Sequence, residues 1–523
     1  MIEHSLRMIE SLQRPECWPS EVTAVERVET HISWVLLTGK EAFKIRKPVD
    51  LGFLDFSTLA RRDHYAHEEV RLNRRFAPEL YLGVVRITGT VDAPQIDGDG
   101  PLLDVAVRMR QFEQARQLDR ELAAGSLTPE DVVTVGREIA AFQEQAPRAE
   151  AGDDFGTPDA VWAPVAENFS QIRTALDDAS AAEILAVLER SSSAWAGSLR
   201  EVFQARRAGG FIREGHGDLH LANLTRLPEG IRAFDCIEFS PALRWIDVVN
   251  DIAFIIMDLE SKCRNDLSWW CLNAWLAHSG DYRGLSVLRF YVLYRIMVRA
   301  KVAVLRRNQV EGQARQDADD DFRAHLEQAQ DLVSPPAPRL LLTCGVSGSG
   351  KSWVAGRLAA AAGLVQVRSD VERKRLFGLK PEEDSDSGLD SGIYSAEASQ
   401  QTYVRLQEIA ASVLDSGHGV IVDATFLTAA QRAPFIALAQ CRGIDVGVLA
   451  VTAEIATLEQ RIRDRAQDGK DASEADTEVL GGQLRLLEPP REDEGIWVLK
   501  VDNDQEVDID GLMARLPIIT NIA

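Results

Sequence analysis

Eight residues, Gly345-Val346-Ser347-Gly348-Ser349-Gly350-Lys351-Ser352, constrain this chain more than any other feature. The glycines let the backbone fold tightly, so that several amide groups converge on one point. A helix starting at Lys351 adds the positive end of its dipole there. The apolar run Arg339-Leu-Leu-Leu-Thr-Cys344 just before reads as a buried strand, which places the loop between a strand and a helix. A second pattern that holds metal and phosphate lies upstream, His216-Gly-Asp-Leu-His-Leu-Ala-Asn223, followed by Phe234-Asp235-Cys236. Two unrelated phosphate-handling patterns in separate segments require two separate folded units.

The totals agree. A chain of 523 residues is too long for one hydrophobic core. A formal net charge of −23 repels polyanions and disfavours a nucleic-acid partner. No apolar run has the length to cross a bilayer, and the acidic start lacks the apolar core of a secretory signal. The six cysteines are scattered without Cys-x-x-Cys pairs, which fits a reducing cytoplasm rather than a disulfide framework or a zinc site. Nothing in the pattern sets the oligomeric state.

The clearest boundary is Ser334-Pro335-Pro336-Ala337-Pro338, because prolines fix φ and lack the amide donor. It separates a domain over 1–333 from one over 339–523. Within the first, residues 20–112 alternate and turn as an antiparallel sheet lobe. Strands are expected at Val25–Leu37, Ala42–Arg46, Leu82–Ile87 and Leu103–Phe112, with a helix at Asp63–Arg75. Residues 113–333 form a helical lobe with a Trp-rich stretch at 269–275 and a strand-and-loop insert at Phe211–Phe239. Downstream, strands at 340–344, 364–369, 419–424, 446–452 and 496–501 alternate with helices at 351–362, 396–415, 428–441, 454–467 and 473–487. That alternation predicts a parallel sheet covered on both faces. Pro381–Gly392 reads as a mobile acidic loop. The expected fold class is an α+β bilobal kinase-like N-terminal domain joined to an α/β P-loop NTPase C-terminal domain.

Phosphoryl transfer needs a carboxylate to orient the acceptor hydroxyl, oxygen ligands for the metal and a cation for the phosphates. Asp218 suits the first role, and Asn223 with Asp235 the second. The arrangement resembles the aminoglycoside phosphotransferase and choline kinase group, whose pattern is His-Gly-Asp-x-x-x-x-Asn, then a strand and an Asp. Arg244-Trp-Ile-Asp247 and Asp251-Ile-Ala253 resemble that group's downstream element. The resemblance implies that Lys44, in Ala42-Phe-Lys44-Ile, grips the α- and β-phosphates, with Lys40, Arg46 and Lys47 as competing cations. It implies a helical acid paired with that lysine, Glu69 before Glu68, and a connector over Leu103–Phe112 whose backbone holds adenine. The protein-kinase Gly-x-Gly-x-x-Gly loop is absent, and the turn Thr38-Gly39-Lys40 stands in its place. His216 and His220 read as loop-orienting residues.

The downstream loop, Gly345-x-x-x-x-Gly350-Lys351-Ser352, is a full Walker A pattern. Gly345, Ser347, Gly348, Ser349 and Gly350 would cradle phosphate, Lys351 reach the β- and γ-phosphates, and Ser352 ligate magnesium. Asp370 and Arg373 follow the second strand, where α/β sheets place ligands. Asp370 would activate a hydroxyl and Arg373 hold acceptor or phosphate, with one residue of the run Arg373-Lys374-Arg375 pointing inward. Asp423 ends the third strand as a Walker B carboxylate. Arg461 and Arg465, four apart on one helical face, form either a charge-neutralising lid or a solvated face. Asp471 and Asp476 read as a helix cap and surface acids. This half is similar to gluconate kinase, the kinase half of polynucleotide kinase and zeta-toxin-like enzymes. It looks closest to a bacterial predicted-kinase family often fused to an aminoglycoside-phosphotransferase-like half.

The expected activity is a bifunctional ATP-dependent, magnesium-requiring phosphotransferase acting on small-molecule hydroxyl acceptors. Two alternatives stand beside it. The P-loop half is a polynucleotide or nucleotide kinase, or one half is a regulatory ATP-binding module.

Overall fold

The computed structural model describes every residue except 1, 19–21, 53, 382, 384, 386–391, 469–475 and 518–523. By packing, the chain divides into two compact units: Met1–Asp131 with Phe142–Pro164 and Phe203–Asp258, and Val132–Ala141 with Val165–Val202 and Leu259–Ala523. The Pro-rich run 334–338 therefore lies inside the second unit, together with the helices that precede it.

The first unit is built on a six-stranded antiparallel sheet: β1 (Glu26–Glu29), β2 (Ser33–Leu37), β3 (Glu41–Arg46), β4 (Tyr81–Thr90), β5 (Ala93–Ile96) and β6 (Leu102–Arg110), in the order β1-β2-β3-β6-β4-β5. The expected single run Val25–Leu37 is a hairpin, because the Thr30 hydroxyl bonds the Ser33 backbone and turns the chain. β5 was not expected, since Pro94 breaks the alternation. It lies at the sheet edge, the place where a strand tolerates a missing donor. Period-two alternation divides the faces. Phe43 and Ile45 join Trp34, Leu36, Ile87 and Ala106 under the helix Ile2–Leu12. Ala42, Val105 and Val107 pack on the opposite side with Ala66 and Val70 of the helix Leu59–Asn73, which Thr58 caps. Lys44 shares the face of Ala42 and so points toward that helix. Short antiparallel pairs follow, β8 (Leu224–Leu227) with β9 (Gly230–Ala233), and β7 (Ile212–Glu214) with β10 (Trp245–Asp247).

The second unit carries a parallel sheet: β11 (Leu340–Cys344), β12 (Leu364–Arg368), β13 (Gly419–Asp423), β14 (Val446–Thr452) and β15 (Trp497–Asp502), in the order β12-β13-β11-β14-β15. β11 and β13 are buried at every position, as central strands of a sheet covered on both faces are, Thr343 and Asp423 included. All five strands lie within a residue of their expected ends. The helix Ser369–Leu376 was not expected, because its Arg-Lys-Arg run shows no apolar stripe. Asp476 caps the helix Thr477–Leu486 by accepting from Glu478 and Val479 amides. Asp471 and most of the expected acidic loop lie outside the described residues. All six cysteines are free thiols. Among the described residues no helix is long and apolar enough to cross a membrane.

One half-buried acid in this unit has a measurable consequence. Burial pushes the Glu260 carboxyl up to about 7, opposed only by the Ser268 hydroxyl that donates to it. A folded-state value above the unfolded one stabilises the fold at low pH and loses that stabilisation as pH rises between about 4.5 and 7. Glu260→Gln is therefore expected to raise stability above pH 7 by about 1–3 kcal/mol and to leave pH 4 unchanged, read from thermal midpoints across pH.

Candidate active sites

The first site assembles wholly within the first unit. Lys44 donates to Glu69 Oε1 at 3.0 Å and to Asp235 Oδ1 at 2.5 Å. Glu69 is fully buried and also accepts from Arg46, whose guanidinium in turn donates to Glu238 at 2.6 Å. Burial alone lowers the Lys44 ammonium, but Asp235 and Glu69 outweigh it and hold it above its ordinary value. Burial likewise raises Asp235, and the Lys44 ammonium overrides this, holding the carboxyl below its usual range. Asp235 has φ +62, a conformation Asp adopts more readily than most residues, and its amide donates to the Tyr81 hydroxyl. Arg46 shares the sheet face of Lys44 but is tied to Glu69 and Glu238. Lys47 pairs with Glu29 on the other face, and Glu68 pairs with Arg71 and Arg244.

The loop after β7 is held from below. Asp251 accepts from the His216 amide at 2.8 Å and the Gly217 amide at 2.9 Å, and Asp258 accepts from the Leu221 amide at 2.9 Å. A Cβ at Gly217, where φ is +85, would sit 2.6 Å from the Leu243 carbonyl, so only glycine passes. His216 is fully buried with its Nε2 on the Phe234 carbonyl and its Nδ1 accepting from the Asp218 amide; burial lowers its basicity, which favours the neutral ring. The Asn223 amide donates to the Asp218 carbonyl at 2.9 Å and carboxylate at 3.1 Å. His220 Nε2 lies 3.5 Å from the same carboxylate, its ring against Phe254. Asp218 and Asp235 keep 38% and 45% of their side chains exposed in an otherwise buried neighbourhood. These carboxylates and the Asn223 carbonyl are the hard oxygen donors magnesium takes. Glu69→Ala turns Lys44 wholly toward Asp235 and is expected to weaken binding of an ATP analogue here about tenfold, measured calorimetrically.

In the second site the loop after β11 has φ +81 at Gly348 and +80 at Gly350. A Cβ at Gly348 would meet the Leu458 carbonyl at 2.7 Å, and one at Gly350 would collide with Asn503 Nδ2. That Asn503 amide donates to the Ser349 carbonyl at 2.8 Å, and Gln483 accepts from the Ser347 amide at 2.6 Å. The first amides of the helix Lys351–Ala362 have no carbonyl within the helix to bond and face the loop. Among the described residues Lys351 donates only to the Val346 carbonyl, at 3.4 Å, and burial lowers its ammonium against the pull of Asp423 and Asp370. Arg465 and Arg368 also act on that charge. Asp423 is buried, which raises its carboxyl despite Arg368 and Lys351. Its Oδ2 accepts from Gln366 at 3.0 Å, while its Oδ1, like the Ser349 hydroxyl, is buried without a hydrogen-bond partner among the described residues. An unpartnered carboxylate oxygen and a glycine cradle fit a metal-bound phosphate.

The remaining expected residues fall less simply. Arg461 donates to the Asn503 carbonyl at 2.7 Å and reaches the Gly348 and Ser349 carbonyls at 3.5 Å, so it props the loop rather than facing solvent. Arg373 is buried, bonded to the Ile393 carbonyl and Ser399, and stacked over Tyr394. The expectation that one residue of the 373–375 run points inward needs correcting: Lys374 is buried too, bonded to the Pro381 and Glu383 carbonyls. Gln366, Arg368, Asn503 and Gln483 were missed in the sequence. Gln366 had a readable signal, being the one polar residue between apolar neighbours in its strand.

The folds and sites define a chain of two units, one with a glycine-rich loop at the end of a parallel-sheet strand and one with a lysine–carboxylate site on an antiparallel sheet. The AAA_33 family model, described as an AAA domain, matches residues 340–490. Uncharacterized protein Rv2004c of Mycobacterium tuberculosis strain H37Rv is 31% identical over 446 residues, covering 85% of this chain and 87% of the relative. Uncharacterized protein Mb2027c of Mycobacterium bovis matches equally. The chain belongs to the family of these mycobacterial proteins. Among solved structures, a gluconokinase from Sinorhizobium meliloti 1021 matches 34% of this chain and 90% of its own, at 22% identity and TM-score 0.25. A choline/ethanolamine kinase family protein from Mesorhizobium loti matches 63% of this chain and 99% of its own, at 12% identity and TM-score 0.35.

Proposed function

We propose that this chain is an ATP-dependent kinase with two transfer sites, each moving the γ-phosphate of Mg·ATP to a hydroxyl group of a small molecule. The observation that carries the reading is that each compact unit assembles, by itself, a partly buried lysine beside carboxylates whose oxygens remain available. In the first unit Lys44 supplies the cation, and Asn223 and Asp235 would hold magnesium. Asp218, half exposed, orients the acceptor hydroxyl and takes its proton. In the second unit the amides from Gly345 to Gly350 and Lys351 hold the phosphates, Ser352 and Asp423 would hold magnesium, and Asp370 faces the acceptor. Magnesium held by these residues would supply positive charge against the charge that builds on the transferred phosphate. The protein contributes orientation and fixed charge, with no covalent intermediate.

Arg461 and Arg465 bring further positive charge to the phosphate loop. The run 334–338 is the proposed junction of domains 1–333 and 339–523. The acceptors are small, since a net charge of −23 opposes a polynucleotide and Arg373 is bonded within the fold. Six free cysteines support a reducing, cytoplasmic setting.

The test is transfer of label from [γ-³²P]ATP to pools of small hydroxyl metabolites by the wild type, Asp218→Asn and Lys351→Ala. Two sets of labelled products are expected, each lost in one variant. Loss of every product from either change alone supports a regulatory role for one half, and no labelled acceptor in any pool counts against both sites.

A further inference from the structure

The Trp-rich stretch at 269–275 takes no part in either proposed site, yet it is packed against one of them. The helix Asn265–Ser279 lies in the second unit and covers β12, an edge strand of the parallel sheet. Asn273 closes that edge as a neighbouring strand would: its side-chain amide donates to the Leu364 carbonyl at 3.0 Å, and its oxygen accepts from the Gln366 amide at 2.8 Å. Trp270 and Trp269 press on the helix that starts at Lys351. A Cβ at Gly356 would lie 3.1 Å from Trp270 and 3.2 Å from Gln366 Oε1, and one at Gly363 would lie 3.2 Å from Trp269. Glycine inside a helix is destabilising by about 1 kcal/mol, and here it makes room for the indole. Beyond the backbone that Asn273 holds, the Gln366 side chain donates to Asp423 Oδ2 at 3.0 Å and reaches the Ser352 carbonyl at 3.4 Å.

We infer that Asn273 and Gln366 are positioning residues for the metal side of the P-loop site. Asn273 fixes the register of β12, and Gln366 then takes one oxygen of Asp423 and leaves the other directed to its ligand. The helix 265–279 precedes the Pro-rich run in sequence, so within the second unit the P-loop site is supported by a segment from outside residues 339–523. This rests on the reading of Ser352 and Asp423 as the residues that would hold magnesium.

The test uses the full chain in a Lys44→Ala background, which silences the first site, with a fluorescent ATP analogue titrated in magnesium and in EDTA. Asn273→Leu and Gln366→Met are compared, with thermal midpoints recorded alongside. Affinity in EDTA is expected to stay within about twofold, while the gain on adding magnesium falls about tenfold or more in both variants, as loss of outer partners of metal ligands does. Gln366→Met keeps the backbone bond to Asn273, so it decides the matter even where Asn273→Leu fails to fold. An unchanged magnesium gain in Gln366→Met, with only a lower midpoint, overturns the inference and leaves the P-loop reading standing. Absence of any analogue binding sensitive to Lys351→Ala overturns both.

Discussion

Asp218→Asn is expected to lower transfer at the first site by about 10²–10⁴-fold, the range lost when a positioned proton acceptor is removed. The geometry makes this a clean change. Asp218 is a partly exposed side chain whose Oδ2 accepts from Asn223, and its backbone is fixed independently through His216. An asparagine fills the same volume, so thermal stability and nucleotide affinity stay near wild type while turnover falls. Products of the second site remain. Equal loss of affinity and turnover would place Asp218 among the binding groups instead.

The second large effect is expected at Lys351. Its ammonium is buried at the mouth of the glycine loop, with one weak contact to the Val346 carbonyl. Nothing else in the described structure depends on it, unlike Lys44, which joins two carboxylates. Lys351→Ala therefore leaves the fold intact and removes a charge positioned for the phosphates. Second-site transfer is expected to fall about 10²–10³-fold, as when one fixed donor to a transition-state oxygen is lost. The check is the product pattern of the metabolite screen together with the thermal midpoint. A fall of several degrees in the midpoint would assign Lys351 a structural role.

These expectations draw unequally on sequence and structure. The parallel sheet was legible nearly to the residue, because strands such as Leu340–Cys344 and Gly419–Asp423 are mainly apolar runs bounded by glycine or charge. The pairing of Lys44 with Glu69 followed from a motif, and Arg46 stood beside it as a competing cation, but the motif carries no sign that Arg46 shares Glu69 and binds Glu238 to complete the buried ion network. Such partners are brought together by tertiary packing across long separations. Arg373 shows a different limit. Its position after the second strand pointed to a ligand, and nothing in the sequence signalled that its Nη1 bonds the Ile393 carbonyl and Ser399 while the guanidinium lies over Tyr394. The helix Asn265–Ser279 was visible only as a tryptophan cluster. That it closes the edge of a sheet far along the chain depends on contacts with no periodicity in either segment.

The account rests on two triphosphate pockets in one folded chain, and calorimetric titration of the intact protein with a non-hydrolysable ATP analogue and magnesium tests it most directly. It predicts two sites per chain, one removed by Lys44→Ala and the other by Lys351→Ala. Binding at neither place would contradict it.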